Sequence, residues 1–176
     1  SLIIGWKKPK APSRDDYVFD MISSLLGDGK SSRLYRTLVL EKKLATSIHT
    51  WNGAPGSRYD NLFSVFASPV QGVSPEKLES EIIAEIKKMR EDIKPDEIER
   101  VKNIMESAFI FMLDSNEGIA HQLSYYQTVS GSWSYVTDYT KIMSGITSKE
   151  IQSAIDKYIT DKAKVVAILR DSREKK

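Results

Sequence analysis

The 176-residue chain has no cysteine, two histidines and no long apolar run. Without cysteine it can form neither disulfide bonds nor thiolate metal sites. No apolar segment approaches the roughly 20 residues that a helix needs to span a bilayer, and the beginning does not resemble a signal peptide. A net charge of +2, with no basic stripe between aromatic residues, does not indicate nucleic-acid binding.

The composition that remains is that of one globular domain. Hydrophobic residues make up 40% and charged residues 28% of the chain, which is ordinary. We expect a single domain over residues 1–176, because this length supports one full core and is short for two. The chain starts without methionine in the strand-like segment LIIGW, so we also expect a fragment of a longer protein. A cytoplasmic and a periplasmic location both fit, and the localisation stays unknown.

The spacing of apolar residues predicts strands early and at the very end of the chain, with a block of helices between them. Alternation predicts strands, and a period of three to four residues predicts helices. The predicted strands are 2–6, 45–51, 62–67 and 165–169, and the predicted helices follow Ser13, Ser31 or Ser32, Pro75, Pro95, Asp114, Ser132 and Thr147. This order predicts an α+β fold, a mostly antiparallel sheet with helices packed on one side.

Charged side chains are predicted to be solvated. Lys7, Lys8 and Lys10 cluster at the end of the first strand, where Pro9 interrupts them. Carboxylate pairs such as Glu97 and Glu99 lie on helices rich in lysine and arginine, which is typical of a solvent-facing surface.

The stretch from Leu25 to Thr50, LLGDGKSSRLYRTLVLEKKLATSIHT, organises the rest of the chain. Its glycines allow a tight turn between two helices, because glycine adopts backbone angles closed to other residues. Ser31 or Ser32 is predicted to cap the second helix through its hydroxyl oxygen. That helix is predicted to bury Leu34, Leu38 and Tyr35 and to turn Arg33, Arg36 and the run 41–43 towards water.

This stretch resembles the glycine-rich turn and S-R-L-Y helix of the non-catalytic, "inactive" domain of the pitrilysin (insulinase-type) zinc metallopeptidases. The residues that carry the fingerprint are Gly27, Gly29, Ser32, Arg33, Leu34 and Tyr35. The resemblance extends to the opening strand LIIGWKKP, the helix that begins at Pro95 and the closing strand KVVAIL. It implies one half of a clam-shell peptidase, in which two similar halves close around a peptide.

The zinc motif of that family, H-x-x-E-H, is missing from the sequence. The motif places two imidazoles one helical turn apart beside a glutamate base. The two histidines, His49 and His121, lie on different predicted elements. The resemblance therefore implies a segment without catalytic or metal-binding residues, inactive by itself. Zinc is expected in a catalytic half, either in the same chain or on a partner subunit.

Trp6 is the candidate for contact with substrate. In many relatives the opening strand carries a tyrosine that, with an arginine a few residues earlier, helps hold the substrate carbonyl near the zinc. By spacing, Trp6 or Gly5 falls at the tyrosine position. An indole could line a peptide channel by stacking, but it offers no phenol hydroxyl. The alternative for Trp6 is plain core or interface packing.

Three functions stay open at this point. The first is a non-catalytic peptidase domain that encloses peptide and helps lay it as an extra strand against a sheet edge. The second is a structural or assembly domain, as in the catalytically dead relatives of respiratory-complex core subunits. The third is a stand-alone peptide-binding module. The expected partners are a catalytic zinc-binding half and a peptide substrate, with neither nucleic acid nor a membrane span.

Overall fold

Four antiparallel strands form one sheet in the computed structural model, which describes residues 1–170. The strands are β1 (Leu2–Lys8), β2 (Ala45–Ala54), β3 (Asn61–Pro69) and β4 (Lys164–Ile168). Their spatial order is β2-β3-β1-β4, so β2 and β4 are the edges. Strands β2 and β3 form an antiparallel hairpin, with His49 opposite Phe66. The end of the chain, residues 171–176, lies outside the described residues.

Within residues 1–170, six α-helices pack on one side of this sheet. They are α1 (Arg14–Gly27), α2 (Pro75–Asp92), α3 (Pro95–Met112), α4 (Asn116–Ser130), α5 (Ser134–Ser144) and α6 (Ser148–Tyr158). Helices α1, α2 and α6 contact strands directly, whereas α3 and α5 pack on α1. The predicted α+β fold with helices on one side is thereby confirmed. No helix among the described residues is both long and apolar enough to cross a bilayer.

The core lies between the sheet and α1. Alternate side chains of β1 and β3 point to this side, because successive residues of a strand face opposite ways. Ile4, Phe63 and Val65 are completely buried there, as are Phe19 and Met21 of α1. The predicted caps at Ser13, Ser74 and Thr147 are all present, with Thr147 and Glu150 forming a capping box. The cap of α4 is Ser115, one residue after the predicted Asp114.

The predicted serine cap of the second helix is wrong. The Ser32 hydroxyl donates to the carbonyl oxygen of Gly29 at 2.7 Å, and the Ser31 hydroxyl accepts from Arg100 at 2.9 Å. Neither side chain reaches the free N–H groups of the helix. After its first residues this helix widens into a π-helical segment, Tyr35–Glu41. The turn that precedes it uses Gly29 at a φ of 73°, which glycine tolerates.

Arg33 and Lys8, both predicted to face water, are buried instead. The Arg33 guanidinium contacts Asp92 at 2.6 Å, Glu97 at 2.5 Å and Glu85 at 3.9 Å. Lys8 forms a buried ion pair with Asp16 of α1. The carboxylates around Arg33 come from the junction of α2 and α3, so the prediction that Glu97 is solvated is also wrong. A buried charge persists only when such partners surround it.

Gly27 ends α1 where the helix touches β2, and it cannot carry a side chain. A Cβ there would lie 2.5 Å from Thr50 Oγ1 and 2.7 Å from the Thr50 backbone nitrogen. We expect Gly27→Ala to lower the free energy of unfolding by about 1–3 kcal/mol, because the helix must shift away from the strand. Urea unfolding measures this loss. Gly56→Ala, with no atom within 4 Å of the new Cβ, is the control and should change stability by less than about 0.5 kcal/mol.

Candidate functional site

Trp6 does not line a channel; it lies in the core. Its side chain is 1% exposed, and its ring stacks on Phe63 with the centroids 6.1 Å apart. It belongs to the face of β1 that the helices cover. The predicted contact with substrate is therefore corrected to the alternative, core packing, because no surface of the indole is accessible to a peptide.

The fingerprint residues build the turn between α1 and the π-helical segment. Leu34 is completely buried, and Tyr35 packs half-buried against the core. Arg33 ties the segment to α2 and α3 through its carboxylates. Gly27 is the one of these residues that the structure brings to a cavity. The group therefore acts mainly by positioning other elements.

The side of the sheet opposite the helices carries an apolar and aromatic surface, here called the open face. Its outward side chains are Ile3, Lys7, His49, Trp51, Leu62, Phe66 and Val165. His49 stacks flat on Phe66, with the ring centroids 4.9 Å apart. Ile3 is 41%, Trp51 50% and Val165 65% exposed, so no described element covers this face. Apolar surface of this kind marks sites of interaction.

A cleft borders β2 at the edge of the sheet, here called the edge cleft. Its volume is about 420 Å³. The floor is the side of α1 that carries Asp20 and Gly27, one wall is β2, and the opposite wall is α3 with tyrosines from α4 and α5. The lining side chains include Asp20, His49, Asn52, Met105, Phe109, Tyr126 and Tyr139. A free strand edge beside a cleft can accept an extended chain.

Asp20 is the more buried of the two acidic residues that line the edge cleft, and it has no ion pair among residues 1–170. Its carboxylate accepts from Asn52 Nδ2 at 2.7 Å and from the Tyr135 hydroxyl at 3.5 Å. Burial and the neighbouring charge of Asp16 raise the pKa of Asp20 to about 7. Burial, followed by the charge of Asp20, also raises the pKa of Tyr126, so this hydroxyl stays neutral.

The residues described by the structure do not fit a catalytic zinc site. Over residues 1–170, no three histidine, aspartate or glutamate side chains come together in a way that could hold a metal ion. His49 lies on the open face against Phe66, and His121 lies on α4 beside Tyr125. The two imidazoles belong to separate elements and share no metal-binding geometry.

The comparison with protein families shows which family the chain belongs to. Residues 1–105 match the family described as the peptidase M16 inactive domain. This chain belongs to the M16 peptidase family. The match covers the opening strand, the glycine turn and the hairpin, and it extends into α3. The predicted family, and the inactive domain within it, are thereby confirmed.

Relatives of this M16 inactive domain include the zinc protease PqqE of Helicobacter pylori, which is 27% identical over 168 residues. The chain spans 37% of that protein, and the alignment covers 95% of the chain. A crystal structure of a protease from Helicobacter pylori superposes with a TM-score of 0.87 and 26% identity, over 94% of this chain and 39% of that one. A chain of complex III2 from Candida albicans reaches 0.79 at 12% identity, covering 94% and 41%, which shows the fold alone.

The edge cleft of the M16 inactive domain was not found from the sequence. One of its lining residues, Asp20, lies between Phe19 and Met21, two completely buried residues of α1. That position is a usable signal, since an acidic residue among buried apolar residues of a helix needs a partner or a function. Tyr126 and Tyr139 lie on α4 and α5, far along the chain from Asp20. Their convergence on Asp20 depends on how α4 and α5 return to α1.

Proposed function

We propose that this M16 inactive domain forms one wall of an enclosed peptidase chamber and positions a peptide substrate there. The observation that carries the proposal is the match of residues 1–105 to the M16 inactive domain. The 27% identity to a zinc protease, of which this chain spans 37%, supports a larger protein that contains a further half. Zinc and the catalytic residues belong to that half.

The two faces of the sheet suggest how the wall acts. Helices cover one face, whereas the open face presents Trp51, Phe66 and Ile3 to whatever lies opposite. The free edge of β2 lies beside these residues and can pair with the backbone of an extended peptide. This chain's part is therefore to bind the peptide, to orient it and to exclude water.

The chemistry of hydrolysis comes from the catalytic half. Zinc there would polarise the scissile carbonyl and activate a water molecule, and a glutamate would act as base. Within residues 1–170 no group of histidine, aspartate or glutamate side chains could hold a metal ion. The domain contributes by holding the substrate close to the reacting groups, which lowers the entropic part of the barrier.

A structural or assembly role is the second candidate, favoured by the fold shared with a complex III2 chain. The sequence that precedes Ser1 in the parent protein distinguishes the two. An H-x-x-E-H motif about one domain upstream supports the peptidase. A degraded motif there supports the assembly role. A stand-alone peptide-binding module predicts binding of unstructured peptides without any other half.

The chamber role is tested by mixing the chain with its catalytic half and zinc and following cleavage of a quenched fluorescent peptide. We expect the rate to rise about 10-fold or more over the catalytic half alone, because the substrate is then positioned. Trp51→Ala, on the open face, should reduce this gain. Leu40→Ala, which truncates a side chain 52% exposed on the π-helical segment, is the control. The absence of any gain contradicts the proposal.

A further inference from the structure

The edge cleft is large enough to hold a long side chain. Its volume of about 420 Å³ falls in the lower part of the range of roughly 300–1,000 Å³ found for ligand sites. It is open at the edge of β2, where His49 and Asp28 stand at its mouth, and it ends at Asp20. A ligand can therefore enter from the strand edge and reach the carboxylate.

No cation of residues 1–170 forms an ion pair with Asp20 in the edge cleft. Lys8 is a nearby cation, but it forms its ion pair with Asp16. Among residues 1–170, Asp20 has only the neutral donors Asn52 and Tyr135. A partly buried carboxylate without a counter-ion is costly, and a cation placed beside it recovers much of that cost.

The walls of the edge cleft suit the stem and the head of a long cationic side chain. The rings of Phe109 and Tyr139 stack with their centroids 4.5 Å apart, and Tyr126 lies with them. Methylene groups pack on such rings, and an ammonium or guanidinium group is attracted to their faces. An anionic ligand would meet Asp20 instead and be repelled.

Asn52 provides an independent sign that a hydrogen-bond donor is needed in this region. Its Nδ2 donates to the backbone carbonyl oxygen of Asp16 and to the carboxylate of Asp20, and these two hydrogen bonds fix the orientation of the amide. Its Oδ1 is buried and has no hydrogen-bond partner among the described residues. Buried acceptors are almost always paired. Lysine and arginine side chains carry only donors, so they match the carboxylate that the same amide orients.

We propose that the edge cleft is a specificity pocket for a lysine or arginine side chain of the bound peptide. The inference rests on the proposed function, because the peptide that lies along β2 supplies this side chain. Alternate residues of an added strand face opposite sides of the sheet. Those on the helix side, next to Thr50 and Asn52, point towards the edge cleft, so the pocket selects the residue at one position of the peptide.

The test measures how this chain binds two labelled peptides by fluorescence anisotropy. Both have an alternating threonine–valine sequence, with either arginine or citrulline at the central position. Citrulline keeps the shape of arginine and removes its charge. We expect the dissociation constant of the arginine peptide to be lower by about 10-fold or more, because only arginine forms a charged hydrogen bond with Asp20. Equal dissociation constants, or no binding of either peptide, overturn the pocket.

Two substitutions test whether Asp20 makes the contact with the arginine side chain. Asp20→Asn keeps the size of the side chain and should abolish the preference for arginine. Asp96→Asn, which removes an exposed carboxylate of α3 outside the lining of the edge cleft, should retain it. The pocket is overturned if Asp20→Asn retains the preference for arginine. The cleavage assay with the catalytic half tests the chamber role separately: a rate gain with no arginine preference rejects the pocket alone, and no rate gain rejects the proposed function.

Discussion

Replacing Arg33 with methionine is expected to lower the free energy of unfolding by about 3–5 kcal/mol. The Arg33 side chain is 6% exposed and donates to Asp92 and Glu97, with Glu85 at 3.9 Å. Methionine leaves three carboxylates together at the α2–α3 junction without the guanidinium that contacts all of them. Their mutual repulsion, and the desolvation that already raises the pKa of Glu85, are then uncompensated. Urea unfolding at neutral pH measures the loss.

A second substitution tests whether the loss of stability is specific to the buried position of Arg33. Arg36→Met removes the same charge one helical turn later, where the pair with Glu41 is 3.6 Å long and both side chains are more than half exposed. Such a surface pair contributes at most about 1 kcal/mol. Arg33→Lys keeps the charge but loses the forked geometry, so an intermediate loss is expected. Equal stability of Arg33→Met and Arg36→Met would show that the buried cluster does not stabilise the fold.

Asp20→Asn is expected to stabilise the domain by about 2–4 kcal/mol at pH 8. The variant keeps an acceptor for Asn52 and removes the carboxylate charge. The direction of this effect follows from the pKa of Asp20, which rises from 3.8 to about 7 on folding. The folded chain binds this proton more tightly, so the contribution of Asp20 is fully present below pH 3.8. It is lost as the pH rises through about 7.

The pH dependence of stability checks this assignment. Between pH 4 and 8 the original chain should lose stability that the Asp20→Asn variant keeps, and the two curves should converge at low pH. Asp28→Asn is the control and should follow the original chain. The groups that face Asp20 from the packed elements are Asp16 on α1, Lys8 on β1, Asn52 on β2, Tyr126 on α4, and Tyr135 and Tyr139 on α5. Parallel curves for the two chains would contradict a raised pKa at Asp20.

Local patterns predicted the elements well where the signal lies within a few residues. The box of Thr147 and Glu150, the proline at the first position of α2 and the alternation of β3 all depend on neighbours in the chain. The serine cap failed because the Ser32 hydroxyl turns back to Gly29. Two donors or acceptors can compete for one hydroxyl, and the sequence pattern does not rank them.

Charged residues show the limit of sequence patterns most clearly. The sequence pattern predicts that Arg33 faces solvent. Its side chain instead pairs with Asp92 and Glu97, which lie 59 and 64 residues further along the chain. The sequence predicts Lys8 as a solvated residue at a strand end, yet its side chain is buried in an ion pair with Asp16 of α1. The resemblance predicts Trp6 as a substrate contact, whereas the pleat of β1 turns its side chain towards the helices. In each case the decisive neighbour belongs to another element of the fold.

The sequence by itself determined the fold class and the lack of an H-x-x-E-H motif, because these follow from residue types and short spacings. Its glycine turn and S-R-L-Y helix resemble the peptidase family that the match to the M16 inactive domain confirmed. Only the tertiary structure decided which charges are buried, which face of the sheet stays open, and that Asp20, Asn52 and Tyr126 meet in one cleft. The physical reason is that α1, β2 and α4 are far apart along the chain. Burial and electrostatics depend on distance in space, which packing alone sets.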